Sequence, residues 1–235
     1  MRSFQKLTVS LAVIVSFLFS ATASLASPTG PSNTRAYTAT VMLTTPTYAF
    51  PGSKHITGHL ATQARFYGGG NTLLVLASTR VHKVEYLKLR VPQRPNTRFV
   101  WVKSNNLFVS ADPYRVVVST GAKTATIYNN GQVMASTLAV VGAAATPTPH
   151  GLFAISEDVP QPPGSDLGPY VAALTAHSNF LQTFGGGDGT VGIHGYELLG
   201  AALGTASSHG CIRVPHSFVQ QIINLPVGTP VVVQN

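Results

Sequence analysis

Cys211 is the only cysteine among 235 residues, and groups that act on thiols stand close to it in sequence: His209 two positions earlier, Arg213 two later, His194 seventeen earlier. The thiolate, not the thiol, attacks a carbonyl. A neighbouring imidazole can take the proton, and nearby positive charge favours the anion. Gly210 lets the backbone approach a substrate closely, and amides around it can face an oxyanion. The same residue types leave three other readings open. A lone cysteine is commonly an inert buried thiol. His194, His209 and Cys211 carry the right atoms for a metal. A papain-like protease also pairs Cys with His, but its sequence around the Cys differs and its His lies far downstream.

The intervening chain must fold back if His194 and Cys211 are to meet. Residues 190–194 read as a strand ending at the histidine, and Cys211 sits in a turn next to Gly210. Short β-type runs at 38–43, 73–77, 86–91, 99–103, 114–119, 124–128, 132–141, 152–155, 170–176 and 231–233 lie between Gly, Pro and Asn clusters. Asn129-Asn130-Gly131 carries a hairpin signal. One helix is expected, at 217–225, where Phe218/Ile222 and Val219/Ile223 form i,i+4 apolar pairs before Pro226. The chain therefore reads as mostly β.

Residues 1–26 have the build of a secretory signal peptide: Arg2 and Lys6, an apolar run from Leu7 to Phe19, then small residues. No cysteine lies near the cleavage region, which excludes a lipoprotein anchor, and no later stretch reads as a membrane span. The expected location is outside the cytoplasm, in the cell wall or periplasm. Residues 27–37 read as a polar linker. Residues 27–110 hold ten Lys and Arg against one acid, and residues 111–235 hold three against six. That contrast predicts a small basic β domain over 38–110 and a separate unit over 111–235. A secreted basic domain faces anionic polymers or membrane surfaces rather than nucleic acid. At 44% hydrophobic and 9% charged residues, the chain is too apolar and too weakly charged for disorder. The single Cys excludes an intramolecular disulfide and a Cys-based structural zinc site. No carboxylate cluster suggests a metal and no glycine loop suggests a phosphate, so no cofactor is expected.

Ser208-His209-Gly210-Cys211-Ile212-Arg213, preceded by Ile193-His194-Gly195, resembles the signature of the L,D-transpeptidase (YkuD-type) catalytic domain. Thr146-Pro147-Thr148-Pro149-His150-Gly151 with Phe153 and Ile155 is similar to a second stretch of that family, as are Gly168-Pro169-Tyr170 and Gly228-Thr229-Pro230-Val231. The resemblance covers roughly residues 112–235. It implies a β-sandwich-like catalytic domain acting on peptidoglycan stem peptides through a cysteine thioester and forming 3→3 cross-links. Cys211 would be the nucleophile, His194 its base, and His209 a third catalytic group. Gly195 would orient the base through its carbonyl. Ser208 and Gly210 would support the turn, amides around Gly210 and Cys211 would form the oxyanion hole, and Arg213 would fix the loop or bind a substrate carboxylate. An L,D-carboxypeptidase, with water as acceptor, would share all of these groups. A non-catalytic wall-binding protein would have no chemical need for them. Val91-Pro92, Arg94-Pro95-Asn96 and Trp101-Val102 resemble the small SH3-like β modules that precede this domain in some wall enzymes. Asp188 reads as a turn residue. Glu197 lies in the loop over the site, where it can meet a substrate amine or stand solvated. His216 reads as a helix-capping or surface residue.

Overall fold

The computed structural model describes residues 27–197 and 199–235; the expected signal peptide lies outside them. The first unit contains the strands β1 Ala36–Val41, β2 Thr45–Thr47, β3 Gly58–Leu60, β4 Thr72–Val81, β5 Val84–Arg90, β6 Phe99–Lys103 and β7 Leu107–Asp112. The second contains β8 Tyr114–Ser119, β9 Thr124–Asn129, β10 Gln132–Leu138, β11 Val141–Gly142, β12 Gly151–Pro160, β13 Tyr170–His177, β14 Thr190–Gly195, β15 Ala206–Ser208 and β16 Ile212–Val214, then the helix α1 His216–Ile222 and the last strand β17 Pro230–Gln234.

In the first unit an antiparallel sheet runs β6-β5-β4-β1-β7, and β2 pairs with β3 beside it. The second unit is built on an eight-stranded sheet in the order β10-β9-β8-β17-β12-β13-β14-β16. Its pairs are antiparallel except β17 with β8 and β14 with β16. Alternation explains the hairpin of β8 and β9: Val116, Val118, Ala125 and Ile127 all face one core and are fully buried. The β9–β10 turn follows from Asn130 and Gly131, which take φ of +49° and +79°, as a two-residue hairpin turn requires. Phe218, Val219 and Ile222 of α1 join the same core.

Several boundaries differ from the sequence reading. The helix ends at Ile222 rather than at 225. Leu225 N–H turns back to the Ile222 carbonyl at 3.0 Å, because the residue before Pro226 is disfavoured in α geometry. β12 runs five residues past the expected end, through Ser156, Glu157 and Asp158. Its outer part is held by pairing with β13, a contact that apolar patterning does not reveal. β7 was not expected, since Phe108, Ser110 and Ala111 are exposed and its alternation is weak; six paired residues of β1 hold it in place. The linker is shorter than 27–37, because β1 already begins at Ala36.

The two units share a buried seam. Ala36 and Leu74 of the first pack against Ala154 of the second, flanked by Leu76 and Leu152. At the junction Asp112 is buried, accepting the Thr229 hydroxyl at 2.7 Å and the Tyr114 N–H at 2.8 Å. Burial pushes its carboxyl above the ordinary aspartate range, and the two hydrogen bonds oppose that shift. Replacing Asp112 by Ala leaves a buried hydroxyl and a buried N–H without this partner. Chemical denaturation should show a loss of about 1–3 kcal/mol, with Asp112→Asn losing less because it keeps an acceptor. Unchanged stability in Asp112→Ala would show that the junction does not depend on this carboxylate.

Candidate active site

The parallel pairing of β14 with β16 sets His194 opposite Arg213, with Ile193 opposite Ile212. Side chains alternate along a strand, so Gly192 and His194 share one face with Cys211 and Arg213, while Ile193 and Ile212 turn into the core. All four residues of the first set line one cavity of about 360 Å³. Val171 and Ala173 of β13, registered against His194 and Gly192, continue its floor, and Val159 of β12 extends it. A side chain at position 192 would drive its Cβ to 2.6 Å from Val171, so glycine is required beside the sulfur. Gly192 N–H points at Cys211 Sγ at 3.5 Å.

His194 is 4% exposed and its Nδ1 lies 2.8 Å from the Gly195 carbonyl. A carbonyl only accepts, so Nδ1 carries the hydrogen and the neutral ring presents a bare Nε2. Burial lowers the His194 pKa to about 4. The Gly195 carbonyl opposes this, and the charges of Arg213 and His216 add to it. Burial also pushes the Cys211 thiol above its ordinary range, against the smaller effects of the Gly192 N–H and Arg213. The sequence reading gave weight to positive charge activating the thiol, but in the folded chain desolvation outweighs it. Each shift taken by itself favours the neutral form of its group.

The turn before Cys211 is held by hydroxyls. Ser208 Oγ donates to the Cys211 carbonyl at 2.6 Å and accepts the Gly210 N–H at 3.1 Å. Thr148, buried in the Pro147–Pro149 stretch, donates to the Gly210 carbonyl at 2.9 Å and accepts the Gly142 N–H at 2.9 Å. Gly210 has φ of +119°, a region that side chains disfavour. Its N–H, expected at the oxyanion, is engaged by Ser208, which leaves the Cys211 amide as the candidate donor. His209 is exposed at the cavity rim, where Phe184 stacks on it with ring centroids 5.0 Å apart. Arg213 lines the cavity, and its Nε is buried without a hydrogen-bond partner among the described residues.

The match with known proteins agrees with this geometry. A family model described as the L,D-transpeptidase catalytic domain (YkuD) matches residues 113–233, just over half of the chain. The chain belongs to the L,D-transpeptidase catalytic-domain family. Similar proteins carrying the name L,D-transpeptidase YkuD come from Bacillus subtilis (strain 168), 34% identical over 122 residues, and Bacillus licheniformis, 31% identical over 120. These matches cover 52% and 51% of this chain and 66% and 64% of the relatives, slightly under two thirds of their length. Among solved structures, the catalytic domain of the E. faecium L,D-transpeptidase aligns over 52% of this chain and 97% of its own, at 23% identity and TM-score 0.38. L,D-transpeptidase 3 from Mycobacterium tuberculosis, solved with a faropenem-derived adduct, aligns over 75% and 79%, at 15% identity and TM-score 0.43.

Within this L,D-transpeptidase domain, two residues left aside by the sequence reading take structural roles at the site. Glu197 is exposed but partnered: its carboxylate accepts the His216 N–H at 2.6 Å at the start of α1 and lies 3.2 Å from His216 Nε2. Asp188 is more than a turn residue. Its carboxylate meets Thr190 Oγ1 at 2.6 Å, His177 Nε2 at 3.2 Å and the Arg65 guanidinium. Burial alone would raise its pKa, but hydrogen bonds from Thr190 and Arg65 and the charges of His177 and Arg65 hold it below the usual carboxylate range. Thr148 could have been found from its place in the Pro-Thr-Pro stretch; the partners of Asp188 are too distant in sequence to be found that way.

A raised thiol pKa and a depressed imidazole pKa both oppose a thiolate–imidazolium pair at rest. Alkylation of Cys211 by iodoacetamide should accelerate with pH up to and beyond about pH 9, following thiol ionisation. A rate plateau reached below neutral pH would instead show a preformed ion pair.

Proposed function

We propose that this protein is a secreted L,D-transpeptidase that cross-links peptidoglycan stem peptides through a thioester on Cys211. The observation that carries the proposal is the placement of a thiol, a buried imidazole with a bare Nε2 and one cationic side chain on the same wall of one cavity. Cys211 Sγ attacks the carbonyl of the third stem residue while His194 Nε2 takes the thiol proton. The C–N bond to the terminal D-alanine breaks, and the imidazolium returns the proton to the departing amine. An amine of a neighbouring stem then gives a proton to Nε2 and attacks the thioester. The new C–N bond forms, the C–S bond breaks and the thiol is restored, giving a 3→3 cross-link. The cleaved amide supplies the free energy, so no nucleotide is needed.

The low His194 pKa suits a base that must be neutral when attack begins, and the raised thiol pKa places proton transfer in the attack itself. The Cys211 amide donates to the developing oxyanion. Arg213 receives a carboxylate of the donor stem. His209, held by the Phe184 ring, polarises the rim where the acceptor enters. The signal-like residues 1–26 and the basic first unit are read as export and attraction to anionic wall polymers.

Incubation with tetrapeptide stems, followed by mass spectrometry, should yield cross-linked dimer and free D-alanine. Accumulation of tripeptide without dimer would point to a carboxypeptidase, and no product would remove the enzymatic reading. Cys211→Ala and Cys211→Ser should each fold and lose at least ~10²-fold in rate. Near-normal turnover in either would exclude Cys211 as nucleophile. Wild-type protein treated with a carbapenem should gain one adduct at Cys211 in its intact mass, since a strained amide imitates the scissile bond.

A further inference from the structure

The cavity over Cys211 is not built by the second unit alone. Phe66, from the first unit, lines it together with Val159, Leu167, Val171 and Phe184. The segment that carries Phe66 is fixed at two points. Glu157 of β12, 5% exposed, accepts the Phe66 N–H at 2.6 Å and the Tyr67 N–H at 2.5 Å. Arg65 pairs with Asp188, whose other oxygen holds Thr190, itself a lining residue. A buried carboxylate spanning two consecutive amides is costly to leave unpartnered, so this segment is held rigidly over the cleft.

The first unit also grips the far wall. Arg94 donates to the carbonyls of Ser178 at 2.5 Å, Leu181 at 2.9 Å and Asp188 at 3.0 Å, on the loop between β13 and β14. Asn96 accepts the His177 N–H at 2.8 Å and donates to the His177 carbonyl at 2.8 Å. That loop bears Phe184, which stacks on His209.

We infer that the first unit forms part of the substrate site, with Phe66 as a specificity-determining wall that contacts the aliphatic chain of the acyl donor. The inference rests on the transpeptidase reading for the identity of that donor. The cavity has a cation at Arg213, polar groups at Gln161, Thr190, His194 and His209, and an otherwise mostly hydrocarbon lining. It therefore suits an acyl group carrying a run of methylenes and a carboxylate, such as a diamino-acid residue of a stem peptide. Arg65, Arg94 and Asn96 act as positioning residues through the walls they hold. Phe66 remains 43% exposed, as a side chain covered by a ligand rather than by the core would be.

The full-length wild type and the Phe66→Ala and Phe66→Leu variants should be compared in two measurements. In the first, Cys211 is labelled by N-ethylmaleimide and by N-hexylmaleimide. The wild type should favour the longer chain by about tenfold, Phe66→Leu should keep part of that preference, and Phe66→Ala should lose it while reacting with the ethyl reagent at the wild-type rate. In the second, Phe66→Ala should raise KM for tetrapeptide stems about tenfold with kcat little changed. A chain-length preference or KM unaltered in Phe66→Ala would overturn the inference. So would equal slowing with both reagents, which would mark Phe66 as a structural brace. Failure of the wild type to turn over stems would count against the transpeptidase reading alone, because the maleimide ratio reads the wall without it.

Discussion

The site depends on one register, the parallel pairing of Thr190–Gly195 with Ile212–Val214. A side-chain period of two means that a slip of one residue would turn His194 or Arg213 into the core and bring Ile193 or Ile212 into the cavity. The core resists that slip, since both isoleucines are fully buried. Parallel neighbours require a long connection, and residues 196–211 supply it, ending in the turn that presents Cys211. Thr148 and Ser208 then hold the turn from two sides, so the thiol stands at the edge of a sheet with its own backbone fixed.

Burial decides the chemistry that this frame permits. Taking the imidazole and thiol out of water disfavours both charged forms, and neither the Gly195 carbonyl nor Arg213 reverses this. A lowered imidazole pKa keeps the base neutral over the physiological pH range. With Cys211 as the proposed nucleophile, the charge needed for attack would be created only when a carbonyl is present to receive the electrons. That division suits an acyl-transfer site better than one relying on a permanently ionised thiol.

The first unit is tied to this site by groups that have little choice of partner. Asp112, Glu157 and Asp188 are three of the six acids of residues 111–235, and each makes hydrogen bonds across or at the boundary between the units. Arg65 and Arg94 belong to the basic excess of residues 27–110. Part of the charge contrast between the two halves is therefore spent on the contact between them.

Much of the second unit was legible in the sequence because its signals are local. Alternation marked residues 114–119 and 124–128, Asn130-Gly131 marked the hairpin, and the text around Cys211 and His194 carried the family. Glycine at 210 follows from a backbone angle that only glycine adopts readily. The tertiary structure alone decided what depends on distant partners: the edge strand Leu107–Asp112, the extension of Gly151–Pro160 through its polar residues, the engagement of the Gly210 amide by Ser208, and the roles of Glu157, Asp188 and Phe66. It also decided the sign of the thiol's pKa shift. Sequence places a cation two residues from Cys211, but desolvation depends on everything packed around the sulfur, and that is set only when the sheet has formed.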